Sequence, residues 1–216
     1  MVIRPFNLKR KPKTILLTVG IGAAWVCAVG IGLQLLFNYE TAAGPTGIIS
    51  RQWPAETGIH LDGDSLTLLM FAHPQCPCTR ASVNELSQII ARAQGKVRAY
   101  VLFYTPSTTQ TDWENTDLRR SAAQIPGVTV LSDADGTEAK RFGAETSGHT
   151  FLFDRTGHLL FNGGITASRG HSGDNVGENA VISMISEQQF KQSETLVFGC
   201  SFNRRALGDK GAACLR

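Results

Sequence analysis

Two cysteines separated by one residue, Cys76 and Cys78, lie where an apolar run meets a segment with helical periodicity. The apolar run, residues 65–72, is bounded by turn-forming residues, as is typical of a strand buried on both faces of a sheet. In the following segment apolar residues recur at helical spacing, so we predict a helix over 79–94. Backbone N–H groups at the start of a helix stabilise an anion, so a cysteine there is expected to form a thiolate readily.

The rest of the chain predicts strands and helices in alternation, and then a hairpin and a last helix. Parallel crossovers followed by an antiparallel hairpin make a mixed sheet. We therefore predict an α/β fold in which helices cover both faces of a mixed sheet. The predicted elements are strands over 97–104 and 128–131, helices over 113–124 and 135–142, a hairpin of 150–153 and 159–165, and a final helix with Ala180, Val181, Met184, Ile185 and Gln188 on one face.

The N-terminus is basic and precedes a long apolar segment. Five of the first thirteen residues are Lys or Arg, and the next twenty-four, 14–37, carry no charged side chain. At about 1.5 Å per residue such a helix covers the roughly 30 Å of bilayer hydrocarbon. The apolar part of a signal peptide has only about 7–15 residues. We predict a retained single-pass anchor over 14–38, with cleavage at Thr41-Ala42-Ala43 as the alternative.

Positive charge on the N-terminal side of the anchor keeps that end in the cytoplasm. In a bacterium, the anchor would lie in the inner membrane and the rest of the chain in the periplasm. The predicted organisation is a basic cytoplasmic segment 1–13, the anchor 14–38, a tether 39–61, a folded domain 62–192 and a cysteine-containing tail 193–216. Because the basic residues of the first segment account for the net charge of +3, no nucleic-acid partner is expected.

Four cysteines would lie on the exported side, where disulfides persist. Cys27 lies within the anchor and is expected to be a small apolar packing residue. Besides Cys76 and Cys78, the exported set contains Cys200 and Cys214, for which we predict a structural disulfide worth about 3 kcal/mol. The alternative is that Cys200 and Cys214 are a second redox pair that exchanges with the first.

Several stretches of the sequence resemble membrane-anchored, periplasm-facing thioredoxin-fold proteins such as TlpA and ResA, and most closely the RedB group. The matching stretches are LTLLMFAHPQ with CPCTRASVNEL, VTVLSDADGTEAKRFGAETSG and TFLFDRTGHLLFNGG. Residues 163–175 and 198–200 match motifs of the RedB-like group. The resemblance implies a thioredoxin-like domain over 62–192 that carries out thiol-disulfide exchange.

The chain departs from those families at two positions. Thr79 occupies the usual place of the second cysteine, so the motif is C-x-C. Where these families have a cis-proline followed by threonine, the chain has His149 and then Thr150. Because a non-proline cis bond costs about 2.5–4 kcal/mol, we expect the bond before His149 to be trans.

The resemblance and the residue chemistry assign roles to the candidate site residues. Cys76 is expected to attack and Cys78 to resolve the mixed disulfide. His149 would exchange protons with the thiolate, the alternative being an ordinary loop histidine. Arg169 and His171 are predicted substrate contacts, because the loop after the last strand should return beside Cys76, and Thr150, which follows His149, is the third predicted contact.

The leading hypothesis is a thiol-disulfide oxidoreductase without a cofactor, whose partners are periplasmic protein thiols and disulfides and a membrane electron donor. The first alternative is a metal-delivery protein that holds Cu(I) with Cys76, Cys78 and His149, since two thiolates and an imidazole suit that ion. The second is a thiol peroxidase, although the Pro-x-x-x-Thr-x-x-Cys arrangement of peroxiredoxins is absent.

Overall fold

The structure is a computed structural model that describes residues 12–107, 113, 115–187 and 192–202. The chain divides into two units, residues 1–39 and residues 40–216. The first unit contains most of helix α1 (Pro12–Thr41), which is long and apolar enough to cross a membrane. Its side chains have no burial within the protein, as expected of a helix whose apolar surface faces lipid.

The second unit is built on a five-stranded mixed sheet of order β3-β2-β1-β4-β5. The first three strands are parallel, and β4 and β5 form the antiparallel hairpin. The predicted mixed α/β architecture is confirmed. In chain order the elements are β1 (Leu66–Ala72), α2 (Thr79–Ala93), β2 (Val97–Thr105), α3 (Asp117–Ala123), β3 (Val128–Ala134), α4 (Thr137–Phe142), β4 (His149–Phe153), β5 (Leu159–Gly164) and α5 (Val176–Ile185).

The core has two layers, one on each face of the sheet, because successive side chains of a strand point to opposite faces. Leu68 and Met70 of β1 pack in the layer shared with helices α2, α3 and α5. Leu69 and Phe71 pack in an aromatic layer with α4 and Trp53. Strand β1 is therefore buried on both faces of the sheet.

Two element boundaries differ from the predictions. Helix α3 begins at Asp117 rather than Trp113, because the Thr116 hydroxyl caps it by accepting a hydrogen bond from the Arg119 N–H. Strand β3 continues three residues beyond its predicted end, to Ala134. The last helix begins at Val176 and ends at Ile185, while Gln188, on its predicted apolar face, lies outside the described residues.

The segment predicted as a tether is part of the folded unit. Trp53 donates its N–H to the Gly157 carbonyl, and Leu159 of β5 donates to the Arg51 carbonyl. The Trp53 ring packs edge-on against Phe142 and Phe153, with centroid distances of 5.3 and 5.0 Å. The compact unit thus begins at about residue 40 instead of residue 62.

Two buried carboxyl groups meet where α2 packs against α5. Glu178 accepts a hydrogen bond from the partly exposed Arg92 at 3.4 Å and is hydrogen-bonded to Glu85. Burial, and then the contact with Glu85, raise the pKa of Glu178 to about 7. The folded protein therefore keeps a proton that the unfolded chain releases at lower pH. That stabilising effect is complete below the unfolded pKa of 4.5 and is lost as the pH rises through about 7.

Glu178→Gln should remove this pH dependence because glutamine stays uncharged. We expect the melting temperature of the full-length protein in detergent to rise by about 2–4 °C at pH 8 and to change little at pH 5. Circular dichroism measures both values, and Glu56→Gln, at an exposed position, is the matched control. Equal shifts of Glu178→Gln at the two pH values would contradict the assignment.

Candidate active site

Cys76 and Cys78 lie in a tight turn between β1 and α2. The Cys76 N–H donates to the His73 carbonyl, and the Cys76 and Cys78 carbonyls accept from Thr79 and Ala81 at 3.3 and 3.2 Å. Helix α2 begins at Thr79, as predicted, with Cys78 as the N-cap residue. Cys76 and Cys78 are free thiols and are only 2% and 7% exposed.

The Cys76 thiol is strongly acidic. A hydrogen bond from the Cys78 thiol is the main cause, and donors from Thr79 and the Cys200 N–H add to it. Together they outweigh burial and lower the pKa of Cys76 to about 5. The same hydrogen bond, with burial, raises the pKa of Cys78, although Arg169 acts in the opposite direction. At neutral pH the pair therefore carries one negative charge, on Cys76.

Ser147 joins the cysteine turn to the loop before β4. Its hydroxyl accepts a hydrogen bond from the His73 N–H at 2.7 Å and is 2.5 Å from the Thr79 hydroxyl. Its side chain is fully buried. No role was predicted for Ser147 or for the Thr79 side chain. Only their positions could have indicated one, since Thr79 follows the cysteines and Ser147 precedes Gly148-His149, where the chain departs from the cis-proline of the related families.

His149 is the first residue of β4 and is fully buried. Its Nε2 atom is 2.6 Å from Oδ1 of Asn162, and its ring stacks on Phe151 at 4.3 Å. Burial lowers the pKa of His149 to about 4, so the ring is neutral at pH 7. Among the described residues no peptide bond is cis, and Nδ1 of His149 has no hydrogen-bond partner. Proton exchange between His149 and Cys76 stays a prediction.

The three predicted substrate contacts lie in different surroundings. Arg169 lies beside Cys78 and donates to the Gly199 carbonyl at 2.5 Å. His171 is exposed, in the loop after β5. Thr150 is fully buried, and its hydroxyl donates to the Gly148 carbonyl at 3.1 Å. Only Arg169 is brought to the cysteines by a described contact, and in this state Thr150 has no surface with which to touch a substrate.

The loop that contains His171 borders an open groove of about 490 Å³. Pro77 of the cysteine turn and Arg80 of α2 form one part of its wall, and Gly170 and Ser172 form another. The groove therefore starts next to the C-P-C motif. The neighbouring Asn175 is the N-cap residue of α5, but its side chain makes no capping hydrogen bond. It accepts the Ala167 N–H at 2.6 Å and donates to the Gly173 carbonyl.

Cys200 lies against the site, a position that suits the predicted alternative of a second redox pair that exchanges with Cys76 and Cys78. Its sulfur is 2.9 Å from the sulfur of Cys76. Cys200 is disulfide-bonded, whereas Cys214 lies outside the described residues, so the Cys200–Cys214 pairing stays a prediction. Within the described part of the chain, no three His, Cys, Asp or Glu side chains form a group that could hold a metal ion.

Comparisons with known proteins find solved structures with a similar fold. No known family model and no curated protein matches the chain. An uncharacterised conserved protein from Geobacillus kaustophilus matches with a TM-score of 0.54 at 15% identity, over 76% of this chain and 92% of its own. A hypothetical protein from Sinorhizobium meliloti matches with a TM-score of 0.52 at 18% identity, over 74% and 93%.

A secreted disulfide oxidoreductase of Mycobacterium tuberculosis, homologous to E. coli DsbE, matches with a TM-score of 0.42 at 17% identity, over 59% of this chain and 84% of its own. The strand order β3-β2-β1-β4-β5, with a cysteine turn between β1 and α2, is the arrangement that the resemblance implied. The fold is thioredoxin-like. The cysteine turn of this thioredoxin-like domain therefore lies where the sequence placed it.

Replacing Cys78 should raise the pKa of Cys76, because the strongest donor to the thiolate is lost. Hydrogen bonds to charged groups are worth about 1.5–3 kcal/mol, so Cys78→Ala should raise that pKa by about one to two units. The pH dependence of Cys76 alkylation, followed by mass spectrometry, measures it. Cys27→Ala, in α1, is the matched control. An unchanged midpoint in Cys78→Ala would show that Cys78 does not stabilise the thiolate.

Proposed function

We propose that this protein is a membrane-anchored thiol-disulfide oxidoreductase that works through Cys76 and Cys78. The observation that carries the proposal is the thiol pair itself, in which the Cys78 thiol donates to Cys76 and lowers its pKa to about 5. A thiolate at neutral pH is the nucleophile of disulfide exchange. The position of the pair, directly before α2 of a thioredoxin-like domain, supports the same chemistry.

The proposed reaction has two steps. The Cys76 thiolate attacks one sulfur of a substrate disulfide and forms a mixed disulfide, and the other substrate sulfur leaves as a thiolate that takes up a proton. Cys78 then loses its proton and attacks Cys76, and the second substrate sulfur leaves. Two electrons pass from the protein to the substrate, and a Cys76–Cys78 disulfide remains. The reverse sequence oxidises a substrate dithiol.

Arg169 is suited to assist the second step. Its guanidinium group lies beside Cys78 and opposes the rise in the pKa of that thiol. Once Cys76 is in a mixed disulfide, its negative charge and its hydrogen bond to Cys78 are lost. The guanidinium would then favour the Cys78 thiolate that has to attack. His171 and the groove beside Pro77 are proposed as substrate contacts outside the cysteine turn.

The proposed location is the bacterial inner membrane, with α1 as a single-pass anchor and the thioredoxin-like domain in the periplasm. Basic residues before α1 and four cysteines after it support this orientation. The proposed partners are periplasmic protein thiols and disulfides, with a membrane electron donor. Membership of the RedB-like group is proposed on residues 163–175 and 198–200, which include Arg169 and Cys200 beside the cysteine turn.

The Cu(I) alternative requires His149 to join the two cysteines. Nε2 of that ring is held by Asn162, and the three side chains do not form a metal-binding group within the described part of the chain. Thiol exchange needs only the contact between Cys76 and Cys78, which is present. The geometry therefore favours exchange over metal delivery.

Cys76→Ser should abolish reduction of a peptide disulfide by the full-length protein in detergent, because serine does not supply a thiolate. Cys78→Ser should instead leave Cys76 in a mixed disulfide that is not resolved, since the resolving thiol is missing. Mass spectrometry of the acid-quenched reaction distinguishes the two outcomes, and Cys27→Ala is expected to behave as wild type. Full activity in Cys76→Ser, or Cu(I) binding without any thiol turnover, would reject the proposal.

A further inference from the structure

The chain segment 199–202, here called the tail strand, pairs with the loop before β4. Thr146 and Ser201 form an antiparallel bridge. The Ser147 N–H donates to the Cys200 carbonyl, and the Phe202 N–H donates to the Glu145 carbonyl, both at 2.8 Å. Main-chain pairing of this kind is how an extended peptide is bound along an open backbone edge. The tail strand is therefore held on the site as a bound peptide would be.

The fit of the tail strand is close at Gly199. A Cβ atom added there would lie 1.9 Å from the Ser147 carbonyl oxygen, and the Arg169 guanidinium donates to the Gly199 carbonyl at 2.5 Å. Any side chain at Gly199 would push the segment away from Ser147. The position before Cys200 therefore requires glycine if the tail strand is to lie this close to Ser147.

The residues before the tail strand are fixed as well. The chain runs beside β5, where Asn162 donates to the Ser193 carbonyl and accepts from the Thr195 N–H at 2.9 and 3.1 Å. Gly163 approaches Thr195 so closely that a Cβ atom would lie 2.2 Å from its hydroxyl oxygen. Val197 is 1% exposed and accepts a hydrogen bond from Gly44. The position of Cys200 is therefore fixed by the contacts of the residues that precede it.

In this position Cys200 contacts the Cys76 thiolate. The two sulfur atoms are 2.9 Å apart, and the Cys200 N–H is among the donors that lower the pKa of Cys76. Cys200 is disulfide-bonded. A thiolate in contact with a disulfide sulfur is the reactant pair of thiol-disulfide exchange, and reacting atoms held about 3–3.5 Å apart are positioned to react.

We propose that the Cys200 disulfide is a built-in substrate of Cys76, so that the protein passes electrons between two of its own cysteine pairs. The inference rests on the proposed function and names the first disulfide that Cys76 attacks. Cys76 bonds to Cys200, and the former partner of Cys200, which the sequence predicts to be Cys214, leaves as a thiolate and is protonated. Cys78 then loses its proton, attacks Cys76 and releases Cys200. One dithiol becomes a disulfide and one disulfide becomes a dithiol.

The test uses the full-length protein in detergent with Cys27→Ala in every variant, so that all remaining thiols belong to residues after α1. In Cys78→Ser the reaction must stop after its first step. Incubation at pH 7 with a maleimide should accumulate a Cys76–Cys200 disulfide and label Cys214, both detected in a non-reducing digest. In Cys76→Ser the original Cys200 disulfide should persist. Persistence of that disulfide in Cys78→Ser would overturn the proposal.

A second measurement tests whether the pairing of the tail strand with the loop before β4 is needed for the exchange. Gly199→Ala, added to Cys78→Ser, should slow formation of the Cys76–Cys200 disulfide about tenfold, because the new Cβ displaces the tail strand from Ser147. Gly63→Ala is the matched control, since a Cβ atom there meets no neighbour within 4 Å. Equal rates in the two variants would show that docking of the tail strand does not drive the exchange.

Failure of this inference is distinguishable from failure of the proposed function. If reduction of an external peptide disulfide requires Cys76 while Cys214 is never released in Cys78→Ser, the oxidoreductase proposal stands and the internal exchange is wrong. If external reduction survives in Cys76→Ser, the proposed function itself is rejected.

Discussion

Ser147 connects the three parts of the chain that make the site. Its hydroxyl accepts the His73 N–H at the end of β1 and contacts the Thr79 hydroxyl at the start of α2. Its N–H donates to the Cys200 carbonyl. Because the side chain is fully buried, loss of any of these bonds would leave polar groups without water to replace them, which typically costs about 1–3 kcal/mol. The position of the cysteine turn therefore depends on a loop that is far away in sequence.

The charge on the cysteine pair follows from this packing. Cys76 is nearly inaccessible, and burial alone would keep its thiol protonated. Donors from Cys78, Thr79 and Cys200 reverse that preference. None of these three donors is a cation. The thiolate is therefore stabilised by hydrogen bonds from the cysteine turn, from the start of α2 and from the tail strand. The C-x-C spacing brings Cys78 close enough to be the strongest of these donors.

The sequence was sufficient for the elements whose signals are local. The apolar run of β1, the periodicity of α2 and the turn between β4 and β5 each predicted the observed element within a residue or two. The start of α3 was predicted four residues too early, at Trp113, because Thr116 was not recognised as the residue that caps the helix. Asn175 is the N-cap residue of α5, yet its side-chain amide is hydrogen-bonded within its own loop, which residue type alone does not predict.

The arrangement of the site was less predictable because it depends on contacts between distant residues. Residue types identified Cys76, Cys78 and Arg169, but the pairing of residues 145–147 with 200–202 joins segments more than fifty residues apart. Thr150 is the converse case. Residue type and position beside His149 made it a predicted substrate contact, whereas β4 is buried along its whole length and the Thr150 side chain lies in the interior.

The course of the C-terminal segment along β5 has a consequence for solubility. Strand β5 is at one edge of the sheet, and an uncovered edge offers unpaired N–H and C=O groups to other chains. Asn162 has both of its backbone groups occupied by Ser193 and Thr195. The segment that carries Cys200 is thus also a cover for the sheet, so a chain shortened before residue 192 would lose its protection against edge-to-edge aggregation as well as Cys200 and Cys214.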